Sequence, residues 1–185
     1  MSALDAVRRR QSHSRVTAEA PTHAQLLPFV EAAATIADHG SLRPWRLIEL
    51  RDDARNRLGD ALVEAAVAGG LSHSDAQKLA QKPLRASLLI AVVAVQQPSY
   101  KVHAWEQEAV ASGVAHLLSL LLDEAGWGVL WRSGGHTRAD AVARMHRLAP
   151  NEKLLGWLYV GGVPEKTKPE RRRQFAADAY LTVLS

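Results

Sequence analysis

The sequence predicts an α+β or α/β fold in which helices pack around one sheet. Segments with a helical spacing of apolar residues alternate along the chain with four or five short strand-like segments. The run Leu88–Val95 is continuously apolar and rich in β-branched residues, as in a strand buried on both faces. With 185 residues, 47% of them hydrophobic, the chain can form one domain over residues 1–185. Such a chain buries roughly two thirds of its unfolded surface.

The predicted helices are marked by capping residues and by apolar side chains at helical spacing. Thr22 is a favourable N-cap for a helix that continues to Asp38, and Ser72 or Ser74 can cap a shorter one. Glycines end two of the helices, at Gly69-Gly70 and at Gly126. The predicted helices span residues 3–11, 23–38, 54–68, 75–81 and 106–125, and a further one begins at Thr137.

The predicted strands are shorter and are bounded by turn-forming residues. Pro44 closes the loop before the first strand, and Gln97-Pro98-Ser99 forms a turn after the second. A terminal segment over residues 180–184 has the composition of a strand but no hairpin partner beside it in the sequence. The predicted strands span residues 45–50, 88–95, 127–131, 153–160 and 180–184.

Composition excludes several classes of site. The chain has no cysteine, which excludes disulfides, thiolate metal sites, iron–sulfur clusters and a cysteine nucleophile. No two of the eight histidines have the spacing of a helical zinc motif, so no metal site is predicted. The sequence contains neither G-x-G-x-x-G nor a P-loop motif, so no Rossmann dinucleotide fold is predicted.

Charge and hydropathy bear on partners and location. The formal net charge is +4, but basic residues are scattered apart from two arginine triplets, and few aromatic residues accompany them. Nucleic-acid binding is therefore not predicted. The first residues lack the apolar core of a signal peptide, and the longest apolar run is too short to span a membrane. Together with the absence of cysteine, these features predict a cytoplasmic protein without a membrane partner.

A first polar cluster, Arg10-Gln11-Ser12 followed by Arg15, stands at the end of the first predicted helix. Guanidinium groups and a hydroxyl suit a phosphate and a polyol. The helix dipole at a C-terminus disfavours an anion, so the side-chain charges would have to hold it. The alternative is a solvated basic helix end without a ligand.

A second cluster runs from Asp38 to Trp45 and contains His39. Thr35 lies one helical turn before His39, so the two side chains share a face if the helix continues that far. Without a ligand, His39 would cap the helix C-terminus and Trp45 would belong to the core.

The third cluster, Trp131-Arg132-Ser133-Gly134-Gly135, follows a predicted strand. Two successive glycines let a backbone approach a flat ligand closely. The alternative is an ordinary Ser-Gly-Gly turn. A lesser feature is Trp105-Glu106-Gln107 at the start of the longest helix, where an acidic residue is favourable on helix grounds alone.

In order and spacing, from about Ala3 to Pro164, these clusters resemble the nitroreductase family of flavin enzymes, most closely its small YdjA-like members. The resemblance implies an α+β fold of three layers, with a central, mainly antiparallel sheet flanked by helices. It also implies a homodimer whose C-terminal segment is exchanged between subunits. The apolar helix 106–125 and the unpartnered terminal strand fit that arrangement. Gln11 replaces a frequent second arginine of the family, and Arg43 replaces the glutamine of its Gln-Pro-Trp element.

The resemblance assigns FMN as the bound cofactor. Arg10 and Ser12 would hold its phosphate and sugar, and a backbone N–H of Ser133 or Gly134 would face flavin N5. No catalytic side chain and no metal are implied, because the flavin carries the chemistry. The implied FMN contacts are Arg10, Gln11, Ser12, Thr35, His39, Trp131, Arg132, Ser133 and Gly134.

The implied activity is hydride transfer from NADH or NADPH, through flavin N5, to a small-molecule electron acceptor such as a nitroaromatic or a quinone, in a ping-pong reaction. Two alternatives remain open: another flavin reaction on the same fold (dehalogenation, oxidation or flavin fragmentation), or a non-catalytic flavin-binding protein. The C-terminal basic residues are further candidates for contacting the FMN phosphate: Lys166, Lys168, Arg171, Arg172 and Arg173.

Overall fold

The computed structural model describes residues 2–165 and 175–184. The five C-terminal basic candidates therefore lie outside the described residues. The helices are α1 (Ala3–Arg9), α2 (His23–Ala33), α3 (Asp52–Ala68), α4 (His73–Ala76), α5 (Ala104–Glu124) and α6 (Asp140–Met145). The strands are β1 (Trp45–Leu50), β2 (Leu88–Val95), β3 (Trp127–Arg132) and β4 (Glu152–Gly162).

The four strands form one sheet in the order β1-β2-β4-β3, and every neighbouring pair is antiparallel. The predicted α+β class and the mainly antiparallel sheet are confirmed. Because β2 is an inner strand covered on both faces, it must be apolar at every position rather than at alternate ones. Its residues from Leu88 to Ala94 are buried, which explains the continuous run in the sequence.

Two helical layers cover the two faces of the sheet. Leu89 and Val93 of β2 point into a core formed with α3, α4 and α6. The alternate residues Ile90 and Val92 point into a second core formed with α2 and α5. The three-layer arrangement predicted for the fold is therefore present. We call these two sides the α3 face and the α5 face.

Most predicted elements are present, but three helix predictions are wrong in extent. The helix after Thr22 has the predicted N-cap but ends at Ala33, five residues before Asp38. Thr35 lies in the turn that follows, where its hydroxyl donates to the Ala32 carbonyl oxygen at 2.8 Å. Ile36 then packs against Gly113 of α5, a tertiary contact that the helical spacing could not reveal.

The segment after the third cluster also differs from its prediction. Residues 135–138 form a 3-10 turn, and the α-helix starts only at Asp140. Thr137 does not cap a helix, because its hydroxyl donates to the Gly134 carbonyl oxygen at 2.8 Å. The predicted helix 75–81 is divided into the short α4, capped by Ser72, and a 3-10 turn over Gln77–Leu79.

The predicted terminal strand is not formed within the single chain. Residues 177–179 make a 3-10 turn and residues 181–184 have no regular structure. Leu181 is 78% exposed and Leu184 is 94% exposed. The segment has the β-branched, apolar composition of a strand, but no strand among residues 2–165 and 175–184 pairs with it.

Candidate cofactor site

The first cluster lies where the chain leaves α1 and approaches the edge strand β3. The Arg10 N–H donates to the Ala6 carbonyl oxygen at 3.0 Å and ends the helix. Three residues later, the His13 N–H donates to the Val129 carbonyl oxygen of β3 at 2.9 Å. Arg10 and Gln11 are half-buried, and Ser12 is exposed. The cluster is therefore held beside β3 rather than projecting as a free helix end.

Residues 13–19, which we call the N-terminal arm, hold this cluster in place. The Thr17 N–H donates to the Gly162 carbonyl oxygen at 2.8 Å, and the Gly162 N–H donates to the Glu19 carbonyl oxygen at 2.9 Å. The arm can approach so closely because Gly161 has no side chain: a Cβ there would lie 2.7 Å from the Thr17 carbonyl oxygen. Glycines at the ends of β3 and β4 thus serve to dock the arm.

The third cluster forms the loop after β3. Ser133 and Gly134 are exposed, and Gly134 has a φ of +135°, a backbone region that favours glycine. Two hydrogen bonds hold the loop in place: the N–H and the hydroxyl of Thr137 both donate to the Gly134 carbonyl oxygen, at 3.0 and 2.8 Å. A held loop with an exposed backbone is what close contact with a flat ring requires.

The two large side chains of this cluster point to opposite faces of the sheet. Trp131 lies on the α5 face, with its ring 5.0 Å from that of His116 in an edge-on contact. Arg132 lies on the α3 face, with its guanidinium 5.2 Å from the centre of the Tyr159 ring. Trp131 Nε1 and Arg132 Nε are buried and have no hydrogen-bond partner among the described residues. Unpaired buried donors are costly and are a recognised sign of a missing ligand or water.

The second cluster is a tight turn supported by α5. The Asp38 carboxylate accepts the Arg43 N–H at 2.7 Å, and Gly40, Ser41 and Arg43 all have positive φ, at 76°, 51° and 46°. Backbone in this region is strained for residues other than glycine, and such strain concentrates at functional sites. His39 is not the C-cap of α2, because α2 ends at Ala33.

A hydrogen bond to Glu106 fixes His39 instead. His39 Nδ1 lies 3.0 Å from Glu106 Oε2 in the first turn of α5. The hydrogen bond from His39, together with one from the His103 backbone N–H, holds the pKa of Glu106 below its usual range. Glu106 therefore stays ionised and orients the imidazole. Trp45 is half-buried against the α5-face core, consistent with the core interpretation of that residue.

Helix α5 connects all three clusters, which occupy different parts of its length. Glu124, near its C-terminus, pairs with Arg9 beside the first cluster, and His116 contacts Trp131. Glu106, at its N-terminus, holds His39. Glu124 follows Glu106 by 18 positions, which corresponds to roughly 27 Å of helix. One chain thus brings the first and third clusters together along β3, but places His39 at the N-terminal end of α5. Ile36, next to Thr35, packs against Gly113 near the middle of that helix.

Sequence analysis missed several residues of this region. Sequence analysis explained Glu106 only as an acidic residue in the first turn of a helix. Its side chain does accept the His103 backbone N–H at that N-terminus, but its contact with His39 was not predicted. The contact of His116 with Trp131 could not be predicted, because a single histidine on an apolar helix belongs to no recognisable motif. Tyr159 and Lys82 line a cavity behind the third cluster. The β3–β4 register places Tyr159 beside the end of β3, and the loop before residues 83–85 brings Lys82 to the same cavity. That cavity, of about 360 Å³, includes Trp131 to Gly134 in its lining.

The residues fit an FMN better than a metal. The first cluster supplies guanidinium and hydroxyl groups, and the third an exposed glycine backbone beside two unpaired buried donors. Within residues 2–165 and 175–184, no group of three or more His, Cys, Asp or Glu side chains could hold a metal ion. Over the same residues, no helix combines the length and apolar character needed to cross a membrane.

Comparison with known proteins identifies the family of the chain. The model of the nitroreductase family matches residues 7–162. The protein named "Putative NAD(P)H nitroreductase YdjA" of Escherichia coli strain K12 is 33% identical over 161 residues, which cover 87% of this chain and 88% of that protein.

Solved structures show the same fold at low identity. A nitroreductase-like family protein from Bacillus cereus superposes with a TM-score of 0.85 at 19% identity, covering 100% of this chain and 96% of that one. The FMN- and NADPH-dependent nitroreductase NfnB from sphigopyxis sp. strain HMH gives 0.78 at 17% identity, covering 100% of both chains. With the matched span and these relatives, the chain belongs to the nitroreductase family, a membership that supports an oxidoreductase activity.

Proposed function

We propose that this chain is an FMN-dependent oxidoreductase that takes hydride from NADH or NADPH and reduces a nitroaromatic, a quinone or a similar acceptor. The observation that carries the proposal is the docking of the first cluster onto β3, the strand that ends in the third cluster. His13 meets Val129, four residues before Ser133, a separation of roughly 13 Å along a strand. A flavin lying along this edge would meet both clusters of one chain.

Each cluster has a role in this proposal. Arg10 and Ser12 bind the phosphate and sugar, with Gln11 beside them. Trp131, Arg132, Ser133 and Gly134 surround the reactive edge, where a backbone N–H meets N5. When bound, FMN supplies the hydride chemistry, so the protein needs no general acid or base. The residues of the chain bind the flavin, orient it and exclude water.

Thr35 and His39 enter the site from a second subunit in this proposal. A two-fold axis across the middle of α5 would set two α5 helices antiparallel. The His39 end of one subunit would then lie beside the Arg10 end of the other, which compensates for their separation within one chain. Exposed apolar side chains support such a homodimer: Leu4 and Val7 of α1 are 56% and 59% exposed, and the terminal residues are more so.

The absorption spectrum of the purified protein, before and after anaerobic NADPH, tests the proposal. We expect a flavin spectrum that bleaches with NADPH and returns when a quinone or a nitroaromatic is added. A flavin that neither NADH nor NADPH reduces would indicate a non-catalytic flavin-binding protein. Reduction without turnover of these acceptors would favour another flavin reaction. A protein that binds no FMN after reconstitution would contradict the proposal.

The third cluster offers a matched pair of variants for the same measurement. Gly134→Val should slow reduction by NADPH strongly, because a β-branched residue disfavours the φ of +135° and its side chain would meet the ring. Ser133→Ala should reduce normally, since only its backbone is involved. Stopped-flow reduction of both variants decides the point. An inactive Ser133→Ala beside a normal Gly134→Val would contradict the backbone assignment.

A further inference from the structure

His13 is a buried histidine that the proposed flavin chemistry does not use. It follows Ser12 directly, is the first residue of the N-terminal arm, and has a side chain that is 7% exposed. Its backbone N–H is bonded to β3, and the base of its ring packs on the same strand: a Cβ at Gly128 would lie 3.2 Å from His13 Cβ and 3.3 Å from its Cγ. An apolar side chain could fill this place, so docking of the arm does not by itself require a group that can carry charge.

The ring of His13 faces a carboxylate near the end of α5. His13 Nε2 lies 3.8 Å from Asp123 Oδ1, and the Asp123 side chain is 13% exposed. This distance is within the range of an ion pair but too long for a hydrogen bond. A neutral imidazole therefore gains little from Asp123, whereas an imidazolium is attracted to it, since charges in a largely buried place are screened less than in water. The contact stabilises the arm mainly when the ring is protonated.

The position of Asp123 on α5 favours a cation supplied from outside the helix. The last turn of α5 contains two acidic residues, Asp123 and Glu124, and no basic residue. The helix dipole disfavours carboxylates at a C-terminus and favours cations there. Both compensating groups come from the N-terminal region, because Arg9 pairs with Glu124 and His13 faces Asp123. The charge of Arg9 is permanent, whereas that of His13 exists only when the ring binds a second proton.

Few other charged groups surround the ring of His13. In the part of the chain that the structure describes, Asp123 is the one carboxylate within ion-pair distance of His13, and residues 127–131 of β3 are uncharged. The charged residues of the adjoining elements are Asp123 and Glu124 of α5, Arg8, Arg9 and Arg10 at the end of α1, and Arg15 and Glu19 of the arm. Asp123 is therefore the group through which protonation of the ring changes the docking of the arm.

We propose that His13 and Asp123 form a latch that closes when the ring is protonated and holds residues 10–12 in the position that binds FMN. His13 is then a positioning residue rather than a flavin contact, and FMN binds more tightly at lower pH. An open latch lets residues 10–12 sample other positions, and ordering them on binding costs affinity. The ion pair itself needs no cofactor, whereas its effect on FMN rests on the proposed function.

Fluorescence titrations with FMN at pH 6 and pH 8.5, on the unaltered protein and on His13→Gln, test the latch. The variant should bind FMN roughly five- to tenfold more weakly at pH 6, the scale of a partly buried charge at a helix C-terminus, and less than about twofold more weakly at pH 8.5. Asp123→Asn should give the same pattern. The FMN phosphate also changes charge at a pH of about 6, but it does so for every variant, so the ratio of affinities reports the latch.

Arg9→Gln is the matched control, because Arg9 is the other cation that reaches the end of α5. Arginine stays charged over this pH range, and the Arg9 side chain is 53% exposed, so this variant should bind FMN as the unaltered protein does at both pH values. An affinity ratio for His13→Gln that is the same at both pH values would overturn the proposal. A lower unfolding free energy with unchanged FMN affinity would also overturn it, because His13 would then only stabilise the subunit.

Urea denaturation without added flavin distinguishes failure of the latch from failure of the proposed function. A double-mutant cycle of His13→Gln and Asp123→Asn should give a coupling in the unfolding free energy at pH 6 that is lost at pH 8.5. No coupling at either pH would refute the latch even in a protein that binds and reduces flavin. Coupling at pH 6 in a protein that binds no FMN would uphold the ion pair and overturn both the proposed function and the effect of the pair on FMN.

Discussion

The two ends of the described chain are held in opposite ways. The N-terminal arm is bonded to β3 and β4 through His13 and Thr17, and it packs where Gly128 and Gly161 leave room. The C-terminal segment 175–184 is exposed throughout, and its ring contact between Phe175 and Tyr180 is internal to the segment. The N-terminal arm therefore completes its contacts within the subunit, whereas the C-terminal segment presents apolar side chains that the described residues of the subunit do not cover.

This contrast bears on how the site is assembled. The arm holds Arg10 to Ser12 beside the strand that ends in the third cluster, so a single subunit brings these two clusters together. Val183 and Leu184 of the tail are 85% and 94% exposed, and exposure of several neighbouring apolar residues is unfavourable in water. The difference supports a homodimer in which the partner covers the tail and contributes Thr35 and His39.

The largest effect is expected from removing residues 180–185. If the tail packs on a partner, two apolar side chains buried at about 1.5–3 kcal/mol each predict a loss of roughly 3–6 kcal/mol of dimerisation free energy. Flavin occupancy should fall with it. Analytical ultracentrifugation and the flavin absorbance measure both quantities. Thr182→Ala, in the same segment, should leave both unchanged, and a truncated protein with the original dimer mass would contradict the idea.

Replacing Arg10 tests the role proposed for the N-terminal region in binding FMN. Arg10→Ala should weaken FMN binding by about 1.5–3 kcal/mol, the scale of a hydrogen bond to a charged group, while the dimer persists. Arg9→Ala is the matched control, because Arg9 pairs with Glu124 and its side chain is 53% exposed. A fluorescence titration with FMN compares them. Equal affinity in the Arg10 variant and the original protein would identify this cluster as a solvated basic helix end.

Loosening the N-terminal arm should destabilise the subunit and impair the cofactor site together. In Gly161→Ala the added Cβ would lie 2.7 Å from the Thr17 carbonyl oxygen and 2.8 Å from Val16 Cβ, so the arm must shift. Overpacking of this kind costs roughly 1–3 kcal/mol of unfolding free energy. Urea denaturation measures it. Gly69→Ala, where the nearest atoms are 3.4 Å away, is the control, and equal stability of the two variants would refute the docking role of Gly161.

The smallest expected effect is the dependence of stability on pH that arises from His146, on the α3 face. His146 Nε2 accepts from the Trp157 indole at 3.0 Å, and its Nδ1 donates to the Val142 carbonyl oxygen at 2.8 Å, so the buried ring is neutral. Burial lowers the pKa of His146 below its usual value. The unfolded chain then binds a proton more readily. Stability from this group is complete above a pH of about 6.5 and is lost as the pH falls below it toward the lowered folded-state pKa.

Denaturation midpoints at pH 7.5 and 5.5 measure this dependence. His146→Gln keeps an acceptor for Trp157 but cannot titrate, so the difference between the two midpoints should be smaller than in the original protein. The other histidines remain present in both proteins and cancel in the comparison. An identical pH dependence in the variant would show that His146 does not contribute.

Local sequence patterns predicted an element correctly where short-range interactions alone determine it. Thr22 is the N-cap of α2, as predicted, and the continuous apolar run Leu88–Val95 is an inner strand, as it indicated. The end of α2 could not be predicted, because Ile36 leaves the helix to pack against Gly113, which lies 77 positions away in the printed sequence. The same holds for His39, whose partner Glu106 is brought to it by folding.

The sequence by itself determined the fold class, the central strands, the order of the three polar clusters and the family. These properties depend on residue types and their spacing within short segments, which set the helix or strand propensity and the hydrophobic periodicity. Only the tertiary structure decided which clusters meet, that the arm docks on glycines, that His39 lies at the end of α5 opposite to the first cluster, and that Lys82 and Arg132 share a cavity. Those relations depend on strand order and on contacts between distant residues, and burial, rather than local propensity, sets their energies.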